Sequence, residues 1–189
     1  MNVGVGVEGP SDKAFWDKVL HKHFRGVRFD VRSMKNRDKL IRSAPELITQ
    51  FKDLQYDRCL FVLDRDSDPC PTAVIERFEP GVVAEARGPV ATRFASVAVA
   101  IKELEAWYLA DAEAIHAVLP DATYHAEPNT DVIGAEGRLR ALWREQHGTA
   151  ALNKIDFAKS IAPKFQPDRA RSRSPSFSYF WDRLNALLT

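Results

Sequence analysis

The run Cys59-Leu60-Phe61-Val62-Leu63 ends in Asp64-Arg65-Asp66-Ser67-Asp68, so five apolar residues give way to three carboxylates at alternate positions. Asp64 and Asp66 stand too close for both to ionise cheaply without a cation between or beside them. Hard oxygen donors of this kind suit Mg²⁺ or Mn²⁺ rather than zinc. Asp-Ser-Asp-Pro is also good turn chemistry, so this motif alone leaves an acidic turn open. Two other stretches repeat the pattern. Glu8 follows Val3-Gly4-Val5-Gly6-Val7 and precedes Gly9-Pro10, and Lys102-Glu103-Leu104-Glu105 follows the apolar run 94–101.

Elements able to position such residues can be read from the hydrophobic pattern. Residues 58–63 read as a strand buried on both faces at the centre of a parallel sheet. Residues 3–7 form a first strand, and Ser11 is a candidate cap for the helix carrying Phe15, Val19, Leu20 and Phe24. Asp12 suits the positive end of that helix. Val27, Phe29 and Val31 alternate with charged residues in a second strand. Residues 35–42 are basic and start a helix, and Ser43-Ala44-Pro45-Glu46 has capping-box form for a helix over 45–54. A short helix over 72–78 and a strand over 94–101 follow.

Beyond residue 112 the strand signal stops. Helices are expected over 112–119, 138–146 and 152–161, with a loop at 121–134. Arg169-Ala170-Arg171-Ser172-Arg173 reads as a flexible basic segment. A final helix, capped by Ser176, carries Phe177, Phe180, Trp181, Leu184 and Leu188 on one stripe. The fold class expected is α/β, a Rossmann-like core over 1–111 with a mostly parallel sheet flanked by helices. A helical, basic carboxyl-terminal extension over 112–189 packs on it.

The chain has 189 residues, 45% hydrophobic and 28% charged, which is ordinary for a globular protein. Its net charge of +1 names no partner, but residues 138–189 hold ten Lys/Arg against four Asp/Glu. The remainder holds 17 against 22 of the chain's 27 basic and 26 acidic residues. An acidic part suited to cations thus adjoins a basic part suited to phosphates. Cys59 and Cys70 match no paired-ligand spacing and read as thiols in a reducing compartment. With a strand at the start of the chain and no membrane-length apolar run, a cytoplasmic protein without a signal peptide is expected. His21, His23, His116, His125 and His147 form no ligand spacing.

Three strand ends, after residues 7, 63 and 101, therefore carry carboxylates, and ligand sites of open α/β sheets form at that edge. Metal-assisted phosphoryl or phosphodiester chemistry needs such an arrangement, because carboxylates hold one or two Mg²⁺ ions while a Lys or Arg balances charge in the transition state. Lys102, Lys154 and Lys159 are candidates for that positive charge. Arg169, Arg171 and Arg173 are candidates for phosphate contacts, since the guanidinium fork suits phosphate. Trp143, Tyr179 and Trp181 could stack bases, but their helical spacing favours core packing.

Val7-Glu8-Gly9 with Ser11-Asp12, and Leu63-Asp64-Arg65-Asp66 after a later strand, resemble the two signatures of the Toprim domain of topoisomerases, primases and maturation and OLD-type nucleases. The resemblance covers about residues 1–111. The stretch Lys102-Glu103-Leu104-Glu105-Ala106-Trp107 to Asp111, with Ser174-Pro175-Ser176-Phe177, is similar to small bacterial Toprim-like proteins, some encoded beside ATPases and associated with defence against phage. The resemblance implies a Mg²⁺-dependent (or Mn²⁺-dependent) nuclease acting on DNA or RNA, with an ATPase as partner. Glu8 would be a metal ligand or general acid/base, Asp64 and Asp66 the metal-binding pair, and Asp68 and Glu105 additional candidate ligands. Lys102 would complete the catalytic set, while Lys154 and Lys159 join the three arginines as nucleic-acid contacts. Asp12 is expected to cap its helix.

Two other readings stand beside this one. A haloacid-dehalogenase-type phosphatase also uses Asp-x-Asp after an apolar strand, but it wants Thr or Val where this chain has Asp68. A non-catalytic nucleic-acid-binding or assembly module would keep the fold and dock on an ATPase, since the chain has no Walker motif of its own.

Overall fold

Strands β1 (Asn2–Val7), β2 (Arg28–Ser33), β3 (Arg58–Asp64) and β4 (Ala95–Ala100) form one four-stranded sheet in a computed structural model that describes residues 1–89 and 92–188. The order is β2-β1-β3-β4 and every pairing is parallel. With helices flanking the sheet, this is the Rossmann-like α/β architecture expected. The chain runs outward from β1 to β2, then crosses back to β3 on the other side of β1. The strand order thus reverses between β1 and β3, where open α/β sheets form their ligand crevice.

β3 is buried along Cys59–Leu63, as its apolar run requires. Helix α1 (Pro10–His23) packs Phe15, Trp16, Val19 and Leu20 into a large apolar cluster on one face of the sheet. Its cap differs from the serine expected. Gly9 is the capping position, and its N–H donates to Asp12 Oδ2 at 2.8 Å. The capping assigned to Asp12 is observed.

Helix α2 (Arg37–Asp53) covers the opposite face with Leu40, Ile41, Ala44, Leu47 and Phe51. It is one helix, where the sequence suggests a break near Ser43. Asn36 caps it, accepting from Lys39 N at 2.8 Å, and Pro45 lies inside it. A proline there costs roughly 3 kcal/mol, but the apolar stripe runs unbroken across it. Burying that stripe outweighs the lost hydrogen bond.

Phe51 also explains a glycine of β1. A Cβ on Gly4 would lie 2.5 Å from the buried Phe51 ring. Gly4→Ala is expected to destabilise the protein by about 1–3 kcal/mol, the usual cost of overpacking a core. A chemical-denaturation midpoint equal to wild type would contradict this account of the glycine.

After β3 come α3 (Pro71–Ile75) and α4 (Pro80–Arg87), the latter absent from the sequence reading. After β4 come α5 (Glu105–Ala110), α6 (Ala112–Val118), a 3-10 turn at Thr130–Val132, α7 (Ala135–His147) and α8 (Lys154–Ile161). The chain closes with α9 (Pro167–Arg171) and α10 (Pro175–Leu188). Ser174, not Ser176, caps α10, its Oγ accepting from Phe177 N at 3.1 Å. The large apolar cluster runs without interruption from β1 and α1 through Trp107 to Phe177, Phe180, Trp181 and Leu184. Tyr179 is the exception to the core packing expected of the aromatics, at 64% exposed. No helix among the described residues is long and apolar enough to cross a membrane.

Candidate active site

Glu8 and Asp64 follow adjacent strands at the topological reversal, and the structure joins them directly. Asp64 N donates to Glu8 Oε1 at 2.8 Å. This bond fixes the Glu8 carboxylate at the crevice while leaving its other oxygen free among the described residues. Burial and the nearby Asp12 and Asp66 push the Glu8 carboxyl up to about 7, against the relief given by the Asp64 N–H and Arg37. Asp64 is pushed well above the usual carboxylate range by burial and then by Asp12, Glu8, Glu105 and Asp66. Asp12 is raised too, by burial and by Glu105, although its bond from Gly9 N opposes the shift. Tyr108, buried beside the group, is held protonated by burial and by Glu105, Asp12 and Asp64. Carboxylates from β1, α1, β3 and α5 thus crowd into one field.

Glu105 reaches this field because α5 is pinned from behind. Trp107 Nε1 donates to Ser176 Oγ at 2.8 Å, and Ser176 Oγ donates to the buried Asp131 at 2.8 Å. Ser174 Oγ and Ser176 N donate to the same carboxylate at 2.6 and 2.7 Å. The Lys102–Trp107 and Ser174–Phe177 motifs, far apart in sequence, are therefore two halves of one clasp. Glu105 itself is 6% exposed and meets Lys154 Nζ at 2.6 Å. Lys154 also meets Glu136 at 3.2 Å. Burial alone would lower the Lys154 ammonium, but Glu105 and then Glu136 hold its proton, up to about 12.

The acid loop after β3 divides. Asp66 adopts φ 50°, with its side chain half exposed and 3.2 Å from Arg37. Asp68 turns away to Arg37 at 2.9 Å and Arg77 at 3.4 Å. Asp68 therefore braces the loop and adds nothing to the field at Asp64. Lys102, at φ 65°, sits across from it, since Asp66 N donates to Lys102 O at 2.9 Å. Two non-glycine residues held in the left-handed region at one edge are the kind of local strain found at ligand sites.

Several expectations need correction. The Lys102 ammonium does not face the carboxylates; it donates to Val132 O at 2.9 Å. The cations that do flank the site are Lys154 and Arg37, and Arg37 had no role in the sequence reading. Arg37 also donates to Arg65 O at 3.0 Å, tying α2 to the end of β3. Lys159 pairs with Asp156 on its own helix at 3.5 Å.

The segment 169–173 is not a free basic strand; it is α9 and its flank, held by ion pairs. Arg169 meets the fully buried Asp111 at 2.7 Å and Glu113 at 2.5 Å. Arg171 meets Asp182 at 2.6 Å, and Arg173 donates to Ala126 O at 3.1 Å. Arg169→Met should therefore lower stability by about 2–4 kcal/mol, by leaving Asp111 buried and unpaired. Urea denaturation checks this, and an unchanged midpoint would return Arg169 to the list of candidate phosphate contacts.

A family model described as a domain of unknown function, DUF4276, matches residues 7–185. The chain belongs to this family. The match takes in Glu8, Asp64, Glu105 and the Ser174–Phe177 half of the clasp. No curated protein and no solved structure matches the chain.

The fit of the site to a divalent cation rests on its donors. Among the described residues no hydrogen bond or ion pair holds the Asp64 carboxylate, one Glu8 oxygen is unused, and neither group makes an ion pair, Arg37 acting on Glu8 only from a distance. Unpaired hard oxygens in a field of like charge suit Mg²⁺ or Mn²⁺. The side chains are not closed around a point: among the described residues no three His, Cys, Asp or Glu side chains form a ready metal-holding group. Glu8, Asp64 and Asp66, with Asp12 and Glu105 behind them, are the residues that would hold the ion. A bound divalent ion would supply Lewis-acid polarisation of a phosphoryl oxygen and an acidified water. Without a bound ion the Glu8 carboxyl, raised to about 7, exchanges its proton near neutral pH; with the ion bound it would be held as a carboxylate ligand. Lys154 pairs with Glu105, and Arg37 holds the acid loop in place.

Proposed function

We propose that this protein is a divalent-metal-dependent nuclease, hydrolysing phosphodiester bonds at the carboxyl edge of β1 and β3. The observation that carries the reading is the unpaired Asp64 carboxylate beside Glu8 at the topological reversal, both raised by burial and then by neighbouring carboxylates. The Toprim-like sequence signatures fall on these same residues. Arg65 and Lys35, in loops at the same edge, have no acidic partner among the described residues and are the cations available to a phosphate backbone. In this reading the protein works in the cytoplasm beside an ATPase partner, as the resemblance to phage-defence proteins implies. Incubation of plasmid DNA, single-stranded DNA and total RNA with EDTA, Mg²⁺ or Mn²⁺ tests it. Cutting that needs the metal supports the reading, and intact substrates under all conditions count against it.

A second reading is a non-catalytic module in which the same carboxylates are structural. It is favoured by the absence, among the described residues, of a closed metal-holding group. Under that reading Mg²⁺ changes neither the stability nor the binding of the protein.

A further inference from the structure

We propose that the open edge of β4 takes up an extended acidic segment of a partner protein as a fifth strand. β4 is the outermost strand of the sheet, paired only with β3 among the described residues. The carbonyls of Phe94 and Ala100 accept from Cys59 N and Arg65 N of the β3 chain. Alternation along a parallel ladder then turns the N–H and C=O groups of Val97 and Val99 outward. The middle of β4, Ser96–Val99, is only half-buried, whereas β3 is buried throughout. Edge strands are usually guarded by charge, proline or a bulge. The sequence Ala-Ser-Val-Ala-Val-Ala has none of these.

A groove of about 820 Å³ runs beside this edge, between α10 and the α3–α4 region. Neither Glu8, Asp64 nor Glu105 lines it. Val97, Val99 and Ile101 line one side, and Leu184 and Leu187 line the other. Arg93 and Arg183 also line it, and neither meets a carboxylate among the described residues. Arg183 donates to Tyr179 Oη at 3.0 and 2.9 Å, and Arg93 donates from Nη1 to Ala86 O at 2.6 Å while its Nε is buried without a partner. Burial and then the Arg183 charge lower the proton affinity of Arg93, so the two cations feel each other.

An added strand bonds the outward backbone groups, its apolar side chains fill the groove, and its Asp or Glu residues offset the arginines. A second copy of the chain suits the edge less well, because twofold pairing along β4 brings Arg93 and Arg183 of both copies together, and the one carboxylate lining the groove among the described residues, Asp131, is already held by Ser174 and Ser176. A nucleic acid would meet phosphate contacts at the arginines but leave an apolar floor and the strand edge unused.

The test pans a phage-displayed random dodecapeptide library against the full chain, then measures the enriched peptides by fluorescence anisotropy. Sequences alternating apolar or β-branched residues with Asp or Glu are expected. Their affinity should fall at least about tenfold on Arg183→Glu. Val99→Pro removes an outward N–H while sparing the ladder to β3, and should weaken them to a similar degree. Thermal melts of both variants show that the fold is kept. The proposal is overturned if acidic alternating peptides are not enriched, or if neither variant weakens them. It is equally overturned if a twenty-nucleotide oligothymidylate displaces the peptides, or if sedimentation shows the edge closed by a second copy.

Discussion

Asp64→Ala is expected to abolish metal-dependent phosphodiester cleavage without unfolding the protein. A metal-held phosphoryl oxygen is stabilised by several kcal/mol in the transition state, and about 1.4 kcal/mol is a factor of ten. The loss should therefore be roughly a thousandfold or more. The Asp64 carboxylate is held by no hydrogen bond or ion pair among the described residues, and it lies in a field of four other carboxylates. Removing it relieves repulsion, so the metal-free variant should be as stable as wild type or more so. An inactive variant that is also strongly destabilised would suggest a structural role instead. A variant that still cuts would remove Asp64 from the centre.

Without metal, the protein should lose stability as pH rises from about 5 to 8. Glu8 is raised from its ordinary 4.5 to about 7, so the folded state binds a proton more tightly than the unfolded chain does. The stabilising proton is fully bound below about 4.5 and is lost as pH climbs through 7. Discounted for partial solvent access, that difference is on the order of 2 kcal/mol. For a domain of this size it amounts to roughly 4–8 °C in melting temperature. Asp64 and Asp12 are raised as well, by burial and by neighbouring carboxylates, so their linkage has the same sign. Glu8→Gln should flatten the profile, and Mg²⁺ should restore wild-type stability at pH 8 by binding the folded state. Melts in EDTA across this pH range check the claim, and stability that rises with pH would contradict it.

The strand-end carboxylates were legible because burial on both faces makes β3 a continuous apolar run, which fixes where Asp64 must emerge. Glu8 was legible for the same reason at β1, and Glu105 because the apolar run of β4 is followed at once by a charged stretch that opens a helix. The roles of the cations were not. Whether Lys102 or Lys154 faces the acids depends on a left-handed turn at Lys102 and on how α8 packs against the rest of the fold, and no local spacing encodes either. Arg37 was hidden because Pro45 suggested a later helix start, which left its basic stretch without a position. The arginines at 169–173 looked free because their partners, Asp111 and Asp182, lie on other elements. The clasp through Asp131 was likewise out of reach, since Asp131 stands in a stretch that reads as loop.

The most direct test of the carboxylate centre is Mn²⁺ titration of the full chain at pH 7.5, followed by electron paramagnetic resonance of the free ion. Wild type should take up one or two ions saturably, competed by Mg²⁺. Asp64→Ala and Glu8→Gln should each lose that uptake while Asp68→Asn retains it. Unsaturable uptake by wild type, or equal uptake by Asp64→Ala, would contradict a metal site between β1 and β3.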